Sequence, residues 1–287
     1  MKDFFCDLHT HSINSDGKYS IQELINLAKN NNIRFLAITD HNKLIPDFEL
    51  FQKNNPEIVL IQGSEISSIF KFSITGRQTE LHIVGLFLQP TDELQHFLSC
   101  NNYNDKKRIE KMIQNLKKYG MNFDYEKLQS MYHTKHIGRM QLAQAMTEEG
   151  FVESTEVALD QFIGDYGLRL AWEPSTAKFA SFEKVIEIIH QAGGLAVLAH
   201  PLRYRLTEKE IKELFIKFKL NGGDAIELFH ASHSKTEIQA LKKYIDMYNF
   251  GYSCGSDFHG FGNSENLNHC FPAEIYYQLQ RLSKKLF

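Results

Sequence analysis

The sequence predicts a parallel α/β fold, either a seven-stranded barrel or an open doubly wound sheet. Three observations carry that reading. Seven short apolar runs recur along the chain, each bounded by polar residues. Amphipathic stretches with helix-start signals lie between most of them. Histidines and carboxylates gather at the run ends, where parallel α/β folds place their working residues.

The runs, in order, are Phe4–His9, Arg34–His41, Ile58–Glu65, Leu81–Leu88, Leu195–Pro201, Asp224–Phe229 and Tyr252–His259. Continuous apolar runs of this length suit strands buried on both faces. Ser20–Asn30 reads as the first helix, with Ser20 as N-cap and Glu23 closing a capping box. Ser181–Ala192 is another and stops at Gly193-Gly194, and Thr207–Leu220 and Ser234–Met247 follow the same pattern. The alternation breaks between Glu65 and His82. That segment reads as strand, turn at Thr75-Gly76, strand, so the fourth strand is expected antiparallel to the third. His82, near the start of its strand, then reaches the rim where the other strands end. Seven strands is one short of the usual parallel barrel, so a barrel here is distorted.

Leu98 to Pro174 holds no strand-like run. Asn104–Gly120, Asp124–Tyr132, Gly138–Gly150 and Ser154–Gly164 read as four short helices. The expected organisation is a barrel built from residues 1–98 and 175–287, with 99–174 as a helical insertion on its rim, acting as a lid.

Composition bounds the function. The chain of 287 residues is 43% hydrophobic and 23% charged, enough to bury a sizeable core. Its net charge of −3, from 32 basic and 35 acidic residues, is not the footprint of a general polyanion binder, so no long duplex nucleic acid is expected as partner. Cys6, Cys100, Cys254 and Cys270 form no C-x-x-C pair, which argues against a zinc knuckle or a disulfide framework and for a reducing compartment. No secretory leader is read at Met1, and no apolar run reaches the roughly 18 residues of a membrane span. A soluble cytoplasmic protein with no membrane partner is expected.

The run ends carry the chemistry. The first contributes His9 and His11, two apart and so on one face of an extended segment, with Asp16 on the loop beyond. The others contribute Asp40-His41, Glu65, His82, His200, and Asp257 with His259. Any one of these has a plain alternative as a cap or turn residue. That alternative would have to hold independently at six of the seven strands, whereas one metal cluster explains them together. Nine side chains (His9, His11, Asp16, His41, Glu65, His82, His200, Asp257 and His259) are too many for one ion. They suit two or three divalent ions sharing a carboxylate, with Glu65 the natural bridge. Six histidines among nine ligands favour zinc, manganese or iron over the all-oxygen shells of magnesium and calcium. Three such ions against three carboxylates leave the pocket positive within a negative chain, a site that attracts phosphate and stabilises phosphoryl transfer.

Three further carboxylates are assigned supporting roles. Asp7 lies on the ligand face but deeper in the barrel, where it is expected to orient a ligand histidine. Asp40 precedes His41. Glu227 sits in an apolar strand, where a buried carboxylate needs a partner such as a ligating histidine.

The segments "DLHTHSINSDG", "ITDHN", "GSEIS", "ELHIVGL", "LAHPLRY", "IELF" and "CGSDFHG" resemble, in this order, the PHP family of metal-dependent phosphoesterases (polymerase and histidinol phosphatase). The resemblance spans nearly the whole chain. It is closest to the TrpH or RNase AM type, which contains nucleotide phosphatases and 5′-to-3′ exoribonucleases acting on short RNA. It implies a distorted seven-stranded barrel with a trinuclear centre. One ion would take His9, His11, Glu65 and Asp257, a second Glu65, His82 and His200, and a third Asp16, His41 and His259. It also implies that Arg139, in "HIGRM", contacts phosphate. Gln141 stands where the subgroup has a histidine, and "GLRLAWEP" (Gly167–Pro174) replaces its Lys-Pro-x-Tyr-Val segment, where Arg169 is a stand-in for the Lys.

The expected reaction is hydrolysis of a phosphate ester on a nucleotide or short 5′-phosphorylated RNA, with a metal-bridging hydroxide attacking phosphorus in line. Glu65, Asp257 and His200 are the catalytic residues, and Arg139, Arg203 and His233 the substrate contacts. His230 is given less weight than His233. The competing readings are a histidinol-phosphate-type phosphatase of small metabolites and a non-catalytic PHP module. A module of that kind is expected to lack ligands.

Overall fold

The computed structural model describes residues 5–101, 106–132, 134, 137–164, 167–174, 177–261, 267 and 271–286. The strands are β1 (Phe5–Thr10), β2 (Ile33–Ile38), β3 (Val59–Lys71), β4 (Gln78–Leu86), β5 (Leu195–Leu198), β6 (Ala225–His230), β7 (Gly251–Gly255) and β8 (Phe271–Pro272). They form one sheet in the order β7-β6-β5-β4-β3-β2-β1-β8. The pairs β1/β2, β2/β3, β5/β6 and β6/β7 are parallel, and β4 is antiparallel to both neighbours. Beyond the strand ends the sheet curls back on itself. His11 N donates to Phe258 O and Asp257 N to His9 O, both at 2.9 Å, and Thr10 bridges Phe258 in parallel. The result is a nearly closed barrel, sealed at the end that carries the polar residues.

The strand count differs from the expected seven by one. β8 pairs antiparallel with β1, Phe5 opposite Pro272 and Cys6 opposite Phe271, at the end of β1 away from the polar rim. Two residues, one of them proline, carry no periodic signal, and their role is to cover an otherwise open strand edge. The β3–β4 hairpin is as the break in alternation predicts. It pairs Gly63–Lys71 with Gln78–Leu86 and turns through Gly76 at φ 68°. Ser67 faces His82 across the ladder, which sets His82 beside the end of the Glu65 segment.

The helices are α1 (Ile21–Asn30), α2 (Phe48–Asn54), α3 (Asp92–Asn101), α4 (Lys106–Leu116), α5 (Tyr125–Met131), α6 (Arg139–Glu148), α7 (Thr155–Ala158), α8 (Phe182–Gln191), α9 (Glu208–Leu220), α10 (Lys235–Tyr248) and α11 (Glu274–Leu286). The capping box at Ser20 and Glu23 is present, and Thr207 with Glu210 and Ser234 with Glu237 form two more. Each satisfies backbone donors that the first helical turn leaves open. The apolar faces of α8, α9 and α10 share one core with residues of β3 to β6, including Phe70, Phe182, Phe215 and Leu241. α1 packs Leu24, Ile25 and Ala28 over Leu36 and Ile38 of β2. α11 packs Ile275, Tyr276 and Leu279 with Cys6, Phe35 and Val84, and Phe35 stacks on Tyr276 at 4.0 Å. No helix of the described residues is long and apolar enough to cross a membrane.

Helices α4 to α7 lie between β4 and β5 and gather a core of their own, Ile109, Met112, Leu116, Leu142, Met146 and Ile163 among it. α3, just before them, buries Leu94 and Leu98 in the barrel's outer core instead. Asn104, where the first insertion helix is expected to start, the segment residue His136, Cys270 and the first four residues lie outside the described residues.

One close approach fixes how β7 meets β1. A Cβ on Gly255 would fall 2.1 Å from His9 Cβ and 2.5 Å from Glu227 Oε1, so only glycine lets the strands close here. Gly255→Ala is expected to destabilise the chain by about 1–3 kcal/mol, the usual range for overpacking. Urea denaturation checks this, and a change under about 0.5 kcal/mol would mean that the seam is looser than described.

Candidate metal centre

The rim at the carboxyl ends of the strands is built around Glu65. Glu65 leaves β3 toward the barrel mouth and is completely buried. Five imidazole nitrogens surround its two oxygens. His82 Nδ1 and His200 Nε2 lie 2.8 Å from Oε1. His41 Nδ1, His11 Nε2 and His9 Nε2 lie 3.1, 3.2 and 3.3 Å from Oε2. Asp257 closes the far side, its Oδ1 3.2 Å from His11 Nε2 and 3.6 Å from His9 Nε2. A second focus sits toward the mouth. Asp16 Oδ1 is 3.2 Å from His259 Nε2 and 3.8 Å from His11 Nδ1, and its Oδ2 is 3.7 Å from His41 Nε2.

All nine residues singled out from the sequence meet in this one cluster. The ligand atoms sort into three groups: His9, His11, Glu65 and Asp257; His11, Asp16, His41 and His259; and His41, Glu65 and His82. His11 and His41 each serve two groups. The resemblance pairs His200 with Glu65 and His82. Here His41 completes that group, while His200 touches the same Glu65 oxygen.

Two of these residues hold unusual backbone. His200 has φ 29° and Asp257 φ 55°, left-handed values that cost a non-glycine residue about 1–3 kcal/mol. Both lie just past a strand end, where the chain turns sharply to aim the side chain inward.

The supporting carboxylates act through specific atoms. Glu227 accepts from His200 N at 2.7 Å and lies 2.9 Å from His9 Nδ1. A carboxylate only accepts, so that nitrogen carries the hydrogen and the His9 Nε2 lone pair is left facing Glu65. His259 Nδ1 is fixed in the same way by Asp257 O at 2.7 Å. Asp40 accepts from Ser12 N at 2.7 Å and from the Ser12 and Ser15 hydroxyls at 2.6 Å, which folds the Asp16 loop onto the barrel. Asp7 does not orient a histidine ring, contrary to the expectation from its place on the strand. Its carboxylate accepts from Ser256 N at 3.0 Å and Ser256 Oγ at 2.5 Å, and from the backbone N of His9 at 3.3 Å. Asp7 thus secures the residue before Asp257.

Burial opposes charge throughout the cluster, and neighbouring charges decide the outcome. Burial would raise the Glu65 carboxyl, but the charges of His82, His9 and His41 hold it well below the usual range. His11 is lifted against burial to about 10 by the carboxylates of Asp257 and Glu65 beside it, and His82 to about 10 by the charge of Glu65. For His41 and His200 burial prevails, and both fall to about 4. Burial pushes Asp7 up to about 7, partly offset by the bonds from Ser256.

The cluster fits divalent metal ions on an observation of its own. Buried polar atoms with no hydrogen-bond partner are rare in folded proteins. Among the described residues, His9 Nε2, His11 Nε2, Asp16 Oδ1 and Glu65 Oε2 are all of that kind. Nitrogen and carboxylate oxygen atoms turned toward one another, with His9 held from its other nitrogen by Glu227, are the arrangement a cation satisfies.

The expected substrate contacts are more dispersed. Arg203 donates from Nη1 to Asp257 Oδ2. Arg139 opens α6, whose N-cap Gly138 lies against Asp16. His233 binds Leu228 O through Nδ1 at 3.0 Å and sits behind His230, ring centroids 5.2 Å apart, not in the cluster itself. His230 is the residue that sequence reasoning underrated. It is buried, with Nε2 3.7 Å from Asp257 Oδ2. The sixth apolar run was closed at Phe229, one residue short of the strand end, and the run-end rule applied there finds His230. The Tyr204 hydroxyl accepts from His82 N at 2.9 Å.

Comparisons with known proteins accord with this geometry. The family model of the PHP domain matches residues 7–171. The chain is 32% identical over 256 residues to a 5′-3′ exoribonuclease of Haemophilus influenzae, covering 88% of this chain and 89% of that protein. It is 28% identical over 263 residues to a 3′,5′-nucleoside bisphosphate phosphatase of Chromobacterium violaceum, covering 89% and 87%. A solved amidohydrolase structure from Chromobacterium violaceum with bound sulfate superimposes with a TM-score of 0.79 at 27% identity, covering 95% of this chain and 96% of that one.

Glu227→Gln keeps the shape of the His9 support but weakens it to a neutral acceptor. Bound manganese is expected to be stripped by roughly tenfold less chelator than in the parent, the lower end for such supporting residues, with the circular dichroism spectrum unchanged. Elemental analysis after chelator titration checks it, and equal retention would deny Glu227 that role.

Proposed function

This chain belongs to the PHP domain family and is a metal-dependent phosphoesterase, a hydrolase of phosphate ester bonds, and from that premise we propose that its substrates are nucleotides or short 5′-phosphorylated RNA. The reading draws on the exoribonuclease and bisphosphate phosphatase that it resembles along most of its length. The observation that carries it is the convergence of unpartnered imidazole and carboxylate lone pairs on buried Glu65.

We assign His9, His11, Asp16, His41, Glu65, His82, His200, Asp257 and His259 as ligands of three ions. The mixture of imidazole and carboxylate favours manganese, zinc or iron. When bound, the ions supply Lewis-acid charge stabilisation and an activated water near neutral pH. The chain's own residues do the rest. Glu65 and Asp257 bring negative charge into the cluster and space its histidines. Glu227 and the Asp257 carbonyl fix which nitrogen of His9 and of His259 faces inward. Arg203, half-exposed beside Asp257, can turn to a phosphate oxygen and neutralise charge that develops there, and Arg139 approaches from the insertion.

We take residues 99–174 as an insertion domain that walls the mouth, supported by its separate core, and 1–98 with 175–287 as the barrel. Among its ties to the barrel are Gln141 on Asp16 O at 2.8 Å and Arg205 on Asp160 at 3.4 Å. The cytoplasm is the compartment we favour. Cys6 and Cys254 lie 3.4 Å apart as free thiols, the state that a reducing environment keeps.

Three experiments test the reading. Chelation should abolish hydrolysis and manganese or zinc should restore it. Glu65→Gln and Asp257→Asn should each lower kcat by about 10²–10³-fold or more while the fold survives, and near-parent turnover in either variant would refute the cluster mechanism. In a screen of a mononucleotide, a nucleoside 3′,5′-bisphosphate, 5′-phosphorylated short RNA and histidinol phosphate, the nucleic-acid compounds should be preferred. Preference for histidinol phosphate would move the chain to the small-metabolite type.

A further inference from the structure

Gln141 belongs to the insertion by sequence and to the barrel rim by contact. It is the third residue of α6 and only 1% exposed. Its Oε1 accepts from the N-cap nitrogen of Gly138 at 3.0 Å, and its Nε2 donates to the carbonyl of Asp16 at 2.8 Å. The amide is thus used at both ends, once to cap its own helix and once to grip the barrel. Gly138 backs the same contact, since a Cβ there would rest 3.5 Å from Asp16 Cβ.

The gripped loop is the one that needs holding. Ser12 to Gly17 has no strand or helix of its own. Asp40 anchors its start through Ser12 and Ser15, and Lys43 donates to Asn14 O. Its end carries Asp16, whose carboxylate must face His41 and His259 at the mouth. Gln141 meets the main chain of that same residue, on the side where α6 arrives.

We propose that Gln141 is a positioning residue that latches α6 to the Asp16 carbonyl, so that the outer ligand group of His11, Asp16, His41 and His259 is held in shape by the insertion. The proposal rests on the reading that this cluster binds divalent ions. It makes the insertion part of the metal site as well as its wall.

Two variants separate the latch from the cap. Gln141→Glu keeps an acceptor for Gly138 N but loses the donor and sets a carboxylate against the Asp16 carbonyl. Gln141→Met removes both bonds at similar volume. Manganese-loaded parent and variants are titrated with chelator and analysed for retained manganese. Amide exchange over residues 12–17 is followed in the ion-free proteins, and KM and kcat for a nucleoside 3′,5′-bisphosphate are measured with and without excess manganese. The latch predicts that both variants lose about one ion per chain at roughly tenfold less chelator. It also predicts faster exchange confined to residues 12–17, and a lowered kcat that excess manganese restores at unchanged KM. Parent-like retention in both variants overturns the latch alone. So does a raised KM that manganese does not correct, which would make Gln141 a substrate contact, and so does faster exchange throughout the chain, which would make its role one of folding. A parent that holds no manganese overturns the ion reading and the latch with it.

Discussion

The structure depends on one buried carboxylate. Glu65 has no exposed surface, and an isolated ionised carboxylate so placed would be strongly disfavoured. Five imidazole nitrogens within 3.3 Å compensate it. They come from β1 and the loop after it, the loop after β2, β4, and the turn after β5. Side chains from four strands must therefore arrive at the same depth. That requirement explains why the barrel is sealed at this end by backbone bonds between His9 and Asp257 and between His11 and Phe258.

Several otherwise odd features follow from it. The antiparallel run of β4 delivers His82 from the middle of a strand rather than past its end. Left-handed backbone at His200 and Asp257 turns two side chains of the cluster inward where the chain would otherwise continue outward. Gly255 leaves room for His9 and Glu227 to pack against β7. The strain at these points is held by the surrounding hydrogen bonds, as is usual where a site overrides local preference.

Much of this is legible in the sequence because its signals are periodic or local. Capping boxes at Ser20, Thr207 and Ser234 mark helix starts, and the polar ends of apolar runs mark the nine cluster residues. What escapes the sequence is what depends on geometry between distant segments. Asp7 shares a strand face with His9 by alternation, but the irregular pairing of β1 turns it to Ser256. Two-residue β8 has no pattern to read. The grip of Gln141 on Asp16 joins positions 125 residues apart and has no local signature. His230 could have been found, since it is the last residue of its strand.

The central claim, that Glu65 is the shared point of a metal cluster, is tested most directly by anomalous X-ray diffraction from crystals loaded with manganese or zinc. The account predicts anomalous peaks touching Glu65 from two sides, one among His9, His11 and Asp257, the other beside His41 and His82, with a further peak between Asp16 and His259. Loaded crystals with no peak in contact with Glu65 would contradict it.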